Sequence, residues 1–340
     1  MKICIVGAGA IGGMLAVKLA RAGHEVSAVL RGANLATARA QGLTLIEADG
    51  QRLTAQLARV SESPAELGIQ DVVLLSVKAH QVAALAPQLP ALLGAGTRIV
   101  TLQNGVPWWY FQKLPGAFEG RAIASLDPDG VIARHLPVDA LIGSVVYPAG
   151  ELVQPGVIRH IEGNRFTLGE LDGQETPSLR AIAMALREAG FKAPISSDIR
   201  SEIWLKLWGN LSFNPISALT HATLEQICRF PGTRALAAAM MAEAQAIAEK
   251  LGSRFKLTLE QRIAGTEAVG PHKTSMLQDV EAGRALELQA LVGAVIELGA
   301  ITGLPTPHIV AVHALAGLLA EQLQQHGSGL SFRTSPSIKT

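Results

Sequence analysis

Short, nearly unbroken apolar runs alternate with stretches of helical spacing over residues 1–110. Lys2–Val6, Glu25–Val29, Asp71–Val77 and Arg98–Leu102 have the continuous aliphatic and β-branched character of strands buried on both faces. Between the first two, Ile11–Ala22 repeats apolar residues at helical spacing and stops at Gly23; a further helix is expected from about His80 to Leu93. Asp49-Gly50 between Leu43–Ile46 and Leu53–Leu57 reads as a hairpin turn. Strands of this kind, separated by helices, predict an α/β domain built on a parallel sheet covered on both sides.

The texture changes twice further on. Leu141–Tyr147, Gly156–Ile161 and Arg165–Leu168 are short apolar runs with no helix between them, expected to extend or edge the sheet. Ser178–Ala189 is helical again, with Gly190 as its stop. From about Asp198 strand patterns vanish, and helical patterns follow at Ser201–Phe213, Thr233–Lys250, Leu257–Ala268, Met276–Gly299 and Thr306–Gln325. The expected organisation is therefore an α/β domain over 1–197, an all-helical domain over 198–326, and a tail over 327–340 whose Gly, Ser, Thr and Pro content suits a flexible end.

Composition narrows the function classes. With 29 Lys and Arg against 28 Asp and Glu, and no dense basic run, the chain lacks the charge for a phosphate-neutralising grip on nucleic acid. A 49% hydrophobic content excludes intrinsic disorder. Cys4 and Cys228 make neither a disulfide framework nor a metal-ligand spacing, which fits a reducing compartment and no metal site. The first apolar run ends at Gly7, too early for a signal peptide. Glu297, Pro305, Pro307, His308 and His313 interrupt the longest apolar segment, Leu291–Leu319. No membrane span is expected, and the protein reads as cytoplasmic.

The candidate chemistry starts at the first strand's end. Gly7-Ala8-Gly9-Ala10-Ile11-Gly12 stands between a predicted strand and a predicted helix, where a dinucleotide fingerprint has to stand. Its first glycine allows the tight turn, its second a close backbone approach to pyrophosphate, its third close packing of helix on strand. After the second strand the chain has Val29-Leu30-Arg31 and no acid until Glu47. A carboxylate there would accept ribose hydroxyls; an arginine instead pairs with a 2′-phosphate, so NADPH/NADP+ is the expected cofactor. The alternative is a solvated loop cation. Ser76-Val77-Lys78 and Leu102-Gln103-Asn104-Gly105 end strands on the same rim, where Lys78 and Asn104 could meet the ligand or serve the loops structurally.

A second set lies in the helical half. Over Ser201–Pro215 two Trp, three Leu, one Ile and one Phe cover most faces, yet Lys206, Asn210 and Asn214 recur at i, i+4 and i+8. A buried stripe of that kind needs partners; the alternative is the wet side of an amphipathic helix. Pro215 is expected to end or kink the helix. Glu287 sits inside the Met276–Gly299 pattern, and if enclosed must pair with a cation such as Lys206 or with a ligand.

Together, KICIVGAGAIGG, SVKAHQV, LQNGV, EIWLKLWGNLSFNPISALT and HKTSMLQDV…ALE resemble the ketopantoate reductase (2-dehydropantoate 2-reductase) family over nearly the whole chain. The resemblance implies a Rossmann-type N-terminal domain, an all-helical C-terminal domain and an active site in the cleft between them. It implies NADPH-dependent reduction of a 2-oxo acid to a 2-hydroxy acid, ketopantoate to pantoate on the route to pantothenate. Position by position it makes Lys206 and Glu287 catalytic, and Asn104, Asn210, Asn214 and Ser275 substrate-binding. Gly7, Gly9, Ala10, Ile11, Gly12, Arg31, Lys78 and Asn104 become cofactor contacts. An apolar helical half is compatible with a homodimer. One departure stands out: Pro107-Trp108-Trp109-Tyr110-Phe111 follows LQNGV where the family more often has a small polar helix start. These rings either plug the core or line a pocket for a bulkier 2-oxo acid. A third reading, from another class, is a catalytically idle NADP-binding sensor that uses the rings as an interface.

Overall fold

The computed structural model describes residues 1–327, 329 and 330. Most of the expected tail, 328 and 331–340, lies outside the described residues. The chain packs as two units, Met1–Ile203 and Trp204 onward.

The first unit is built on a seven-stranded sheet. Its strands are β1 (Lys2–Val6), β2 (Glu25–Val29), β5 (Arg59–Ser61), β6 (Val72–Leu75), β7 (Arg98–Thr101), β8 (Leu141–Val146) and β11 (Phe166–Glu170), in the order β11-β8-β7-β6-β1-β2-β5. All neighbours are parallel except β8 and β11. From β1 the chain goes to β2 on one side and later to β6 on the other, so the topological switch lies at the carboxyl ends of β1 and β6. The apolar runs behave as their sequence demands: β6 and β8 are buried along their whole length.

A second sheet was not foreseen. β3 (Leu43–Ile46) and β4 (Arg52–Ala55) form the expected hairpin around Asp49-Gly50. They are joined by β9 (Ala149–Gln154) and β10 (Val157–Glu162) in the order β4-β3-β10-β9. Thus β8 and β11 extend the main sheet as expected, while the run between them departs into this smaller one. Helix α1 (Ala10–Arg21) packs against both sheets, which explains why Met14 to Val17 and Leu19 are all buried. Gly13 shows how close the approach is: a Cβ there would stand 2.6 Å from Ile158 of β10. Lys18 (α1) reaches Glu47 at 2.8 Å, and His160 (β10) meets the other oxygen of that carboxylate at 2.9 Å, closing the polar rim of the same contact.

The remaining helices of this unit are α2 (Gly32–Gln41), α3 (Val82–Leu85), α4 (Val131–His135) and α5 (Pro177–Glu188). The expected helix from His80 to Leu93 is a string of one α turn and two 3₁₀ segments, because Pro87 and Pro90 supply no backbone donor. The aromatic segment is part of the core: Trp109, Tyr110 and Phe111 are fully buried, and Trp109 Nε1 donates to Thr101 Oγ1 at 3.1 Å. Only Trp108 is partly exposed.

Helix α6 (Ile199–Thr220) begins in the first unit, where Ile199 and Ile203 join the core. Arg200 in its first turn is buried, and among the described residues no carboxylate is in hydrogen-bond contact with it. Its guanidinium donates instead to the carbonyls of Tyr110 (2.8 Å), Leu171 (2.6 Å) and Gln112 (2.6 Å). The second unit comprises the rest of α6 with α7 (Leu224–Arg229), α8 (Pro231–Lys250), α9 (Leu259–Glu267), α10 (Ser275–Glu281), α11 (Ala294–Thr302) and α12 (Pro307–His326). Trp208 anchors it, donating to the Met241 carbonyl at 2.7 Å and stacking on Phe255 at 4.5 Å. Pro215 does not end α6; the helix runs on to Thr220, buried from Leu211 to Ala218, where packing outweighs the lost bond to Leu211. The Met276–Gly299 pattern breaks at Gly283, whose φ of +64° no helix accommodates, and resumes as a π turn over Gln289–Gly293 that leads into α11. Among the described residues no helix is long and apolar enough to cross a membrane.

Candidate active site

The cofactor candidates gather on the carboxyl edge of the main sheet, each at a strand end. Gly7 follows β1, Arg31 follows β2, Lys78 follows β6 and Asn104 follows β7. The glycine loop is held from the inside. Ser76 donates its hydroxyl to the carbonyls of Val6 (3.1 Å) and Gly7 (2.8 Å), and Gly9 N–H closes on the Gly7 carbonyl at 2.9 Å. Ser76 is a positioning residue that sequence reasoning passed over in favour of Lys78.

The three fingerprint glycines are glycine for different reasons. Gly7 has φ +92°, and a Cβ on it would fall within 3 Å of Val77. A Cβ on Gly12 would fall within 3 Å of the Gly7 carbonyl, Ser76 Oγ and Ile5 Cγ2. The fold itself therefore demands these two. Gly9 is different: its backbone is extended, and a Cβ there would meet no protein atom within 4 Å. Nothing in the chain's own packing requires a glycine at this point, which caps α1 with no side-chain hydrogen bond to the helix's first N–H groups. A group brought close to that backbone does require it, and a pyrophosphate is such a group. The residues present thus fit a dinucleotide. Arg31 is exposed at the start of α2, on the β2 side of the loop.

In the second unit Lys206 and Glu287 are both half-buried and interact. Burial pushes the Lys206 ammonium down to about 8, against the opposing pull of the Glu287 carboxylate. Glu287 stands at the entry to the π turn rather than inside a helix, because of the break at Gly283. Asn210 and Asn214 follow Lys206 on α6 at successive turns; Asn214 is buried and Asn210 half-buried. Neither amide is engaged in a side-chain hydrogen bond among the described residues, so both retain their full capacity for a ligand. Ser275 is exposed in the first turn of α10, whose cap is the neighbouring Thr274. Chemically, an ammonium whose pKa burial lowers to about 8 and that interacts with a carboxylate is suited to hand over a proton.

Residues 3–173 match the family model described as ketopantoate reductase PanE/ApbA, and residues 198–320 match the model for the C-terminal part of ketopantoate reductase PanE/ApbA. The chain is 54% identical over 321 residues to a 2-dehydropantoate 2-reductase of Mesorhizobium japonicum, covering 94% of this chain and 98% of that one. A 2-dehydropantoate 2-reductase of Halobacterium salinarum is 27% identical, with 87% and 91% covered. Among solved structures, a 2-dehydropantoate 2-reductase from Methylococcus capsulatus superposes with a TM-score of 0.81 at 28% identity, covering 95% of this chain and 98% of that one. A D-mandelate dehydrogenase with NADH and anilino(oxo)acetate shares the fold, with a TM-score of 0.81 at 22% identity over 95% and 99% of the two chains.

Proposed function

The chain belongs to the ketopantoate reductase family, and on that footing we propose that it reduces 2-dehydropantoate to pantoate with NADPH. It is an oxidoreductase. The observation that carries the reading is the Lys206–Glu287 pair, an ammonium shifted toward neutrality by burial and held beside a carboxylate.

When bound, the reduced nicotinamide supplies the hydride. As negative charge grows on the oxygen of the 2-oxo group, Lys206 stabilises it and donates the proton as general acid. Glu287 keeps the ammonium charged and oriented. Asn210, Asn214 and Ser275 hold the substrate's hydroxyl and carboxylate ends, which removes rotational freedom before reaction, and Asn104 binds where nicotinamide and substrate meet. Gly7, Gly9, Ala10, Ile11 and Gly12 hold the pyrophosphate with backbone N–H groups, Lys78 adds charge, and Arg31 pairs with the 2′-phosphate.

The burial of Trp109, Tyr110 and Phe111 in the first unit supports their reading as core and weighs against a lining for a bulkier 2-oxo acid, although Trp108 beside them is half-buried. An idle sensor has no use for a proton donor of this kind. NADPH oxidation followed at 340 nm over a panel of 2-oxo acids tests the assignment: ketopantoate is expected to give the highest kcat/KM, and a preference for aromatic or larger branched acids would reject it. Arg31→Ala is expected to weaken NADPH binding by roughly 10–100-fold while changing NADH binding by less than about threefold, as loss of one charge-assisted phosphate contact requires. Equal losses for the two cofactors would remove the 2′-phosphate role.

We further infer a cytoplasmic enzyme, supported by two free buried thiols, Cys4 and Cys228. A homodimer is supported by the exposed Val310, Leu315 and Leu318 along α12.

A further inference from the structure

Gln103 leaves the sheet two residues beyond the end of β7, beside Asn104. A primary amide offers two N–H donors and one carbonyl acceptor. Two oxygens lie within reach of its nitrogen: the carbonyls of Leu75 at 2.8 Å and Val77 at 2.9 Å. Both can only accept, so the nitrogen must face them and the orientation of the amide is fixed. Oε1 is consequently turned away from them. It is buried, and it has no hydrogen-bond partner among the described residues. A buried acceptor left without a donor works against folding, so its retention points to a donor brought from outside the chain.

The topology identifies the donor's class. The fingerprint follows β1, and Arg31, the residue assigned to the 2′-phosphate, follows β2 on one flank. The other half of a dinucleotide must then run across the opposite flank, over β6 and β7. Gln103 bridges the ends of those two strands. We propose that Gln103 binds the nicotinamide half of the cofactor, its Oε1 accepting a hydrogen bond from a ribose hydroxyl or from the carboxamide N–H. This rests on the reading above that the chain uses NADP(H).

The same side chain also steadies the segment bearing Ser76, which pins the glycine loop. The test therefore separates contact from support. In Gln103→Met, which keeps the length of the side chain and loses its polar atoms, NADPH binding by calorimetry is expected to weaken roughly tenfold, the value of one neutral hydrogen bond. Binding of 2′,5′-ADP, which carries the adenosine half alone, is expected to stay within about twofold. Equal weakening of both ligands would mean that Gln103 only shapes the loop, and unchanged NADPH binding would mean that Oε1 meets nothing; either overturns the proposal.

A second measurement needs no variant. The wild-type protein is expected to bind either the acetylpyridine analogue, which lacks the carboxamide N–H, or one deoxy analogue of the nicotinamide ribose roughly tenfold more weakly than NADPH. The analogue that loses affinity names the donor, and no loss with any of them rejects the proposal. If the wild type bound neither NADPH nor 2′,5′-ADP, the dinucleotide reading itself would fall and take this inference with it.

Discussion

Lys206→Ala is expected to lower kcat for ketopantoate reduction by about 10²–10⁴-fold, the usual value of a positioned general acid, while the Kd for NADPH stays within about twofold. Lys206 is not among the proposed cofactor contacts, so cofactor affinity is not expected to follow. Stopped-flow or steady-state kinetics with separate cofactor titration gives both numbers; a kcat within about threefold of wild type would dismiss Lys206 as the acid. The same residue sets a pH profile. The donor must be the ammonium, and burial has brought it down to about 8. The rate of reduction is therefore flat below that pH and falls by about tenfold per unit above it. The Glu287 carboxylate opposes the shift, so Glu287→Gln is expected to move the fall to lower pH. A profile that moved upward, or one unchanged in Lys206→Ala at residual activity, would contradict the assignment.

The second large effect divides two residues that a motif treats alike. Gly12→Ala places a methyl group against the Gly7 carbonyl and Ser76 Oγ, neither of which can retreat without dismantling the loop they jointly form. Overpacking against backbone is expected to destabilise the first unit by about 3 kcal/mol or more. For a unit of this size that is a fall of roughly 6–12 °C in Tm. Gly9→Ala meets no protein atom and keeps an extended backbone, so Tm is expected within about 2 °C of wild type. NADPH affinity is nevertheless expected to drop roughly 10–100-fold, because the methyl group stands where the backbone has to approach the pyrophosphate. Calorimetric melting and NADPH titration of both variants decide it. A Gly9→Ala protein that bound NADPH normally would show that the anion is not held by this turn.

What could be read directly from the chain was local. The strand Lys2–Val6, the fingerprint and α1 declare themselves within twenty-odd residues, because aliphatic runs, glycines and helical spacing act on their nearest neighbours. Lys206, Asn210 and Asn214 were likewise visible as one stripe of a helix. What was hidden depended on distant partners. Gln103 is one polar residue in a turn until Leu75 and Val77 arrive from another strand to fix its amide. Glu287 looked helical because apolar spacing continues on both sides of Gly283, and spacing carries no information about φ. Trp109–Phe111 could be filler or lining on sequence grounds, and it takes the packing of the first unit to show that all three are buried. Pro215 was expected to end or kink a helix, and burial along that stretch carries the helix past it.

The smaller sheet has a consequence for how the molecule is made. Its central pair joins Leu45 to Ile158, segments separated by more than about a hundred residues of chain, and it covers the outer side of α1. A ribosome that has released only the residues before β9 has delivered the nucleotide-binding turn but not β9 and β10, which help to shield the helix behind it. The nascent α1 must wait with Met14 and its neighbours wet, so this part of the protein is expected to mature late and slowly, as chains dominated by long-range pairing do.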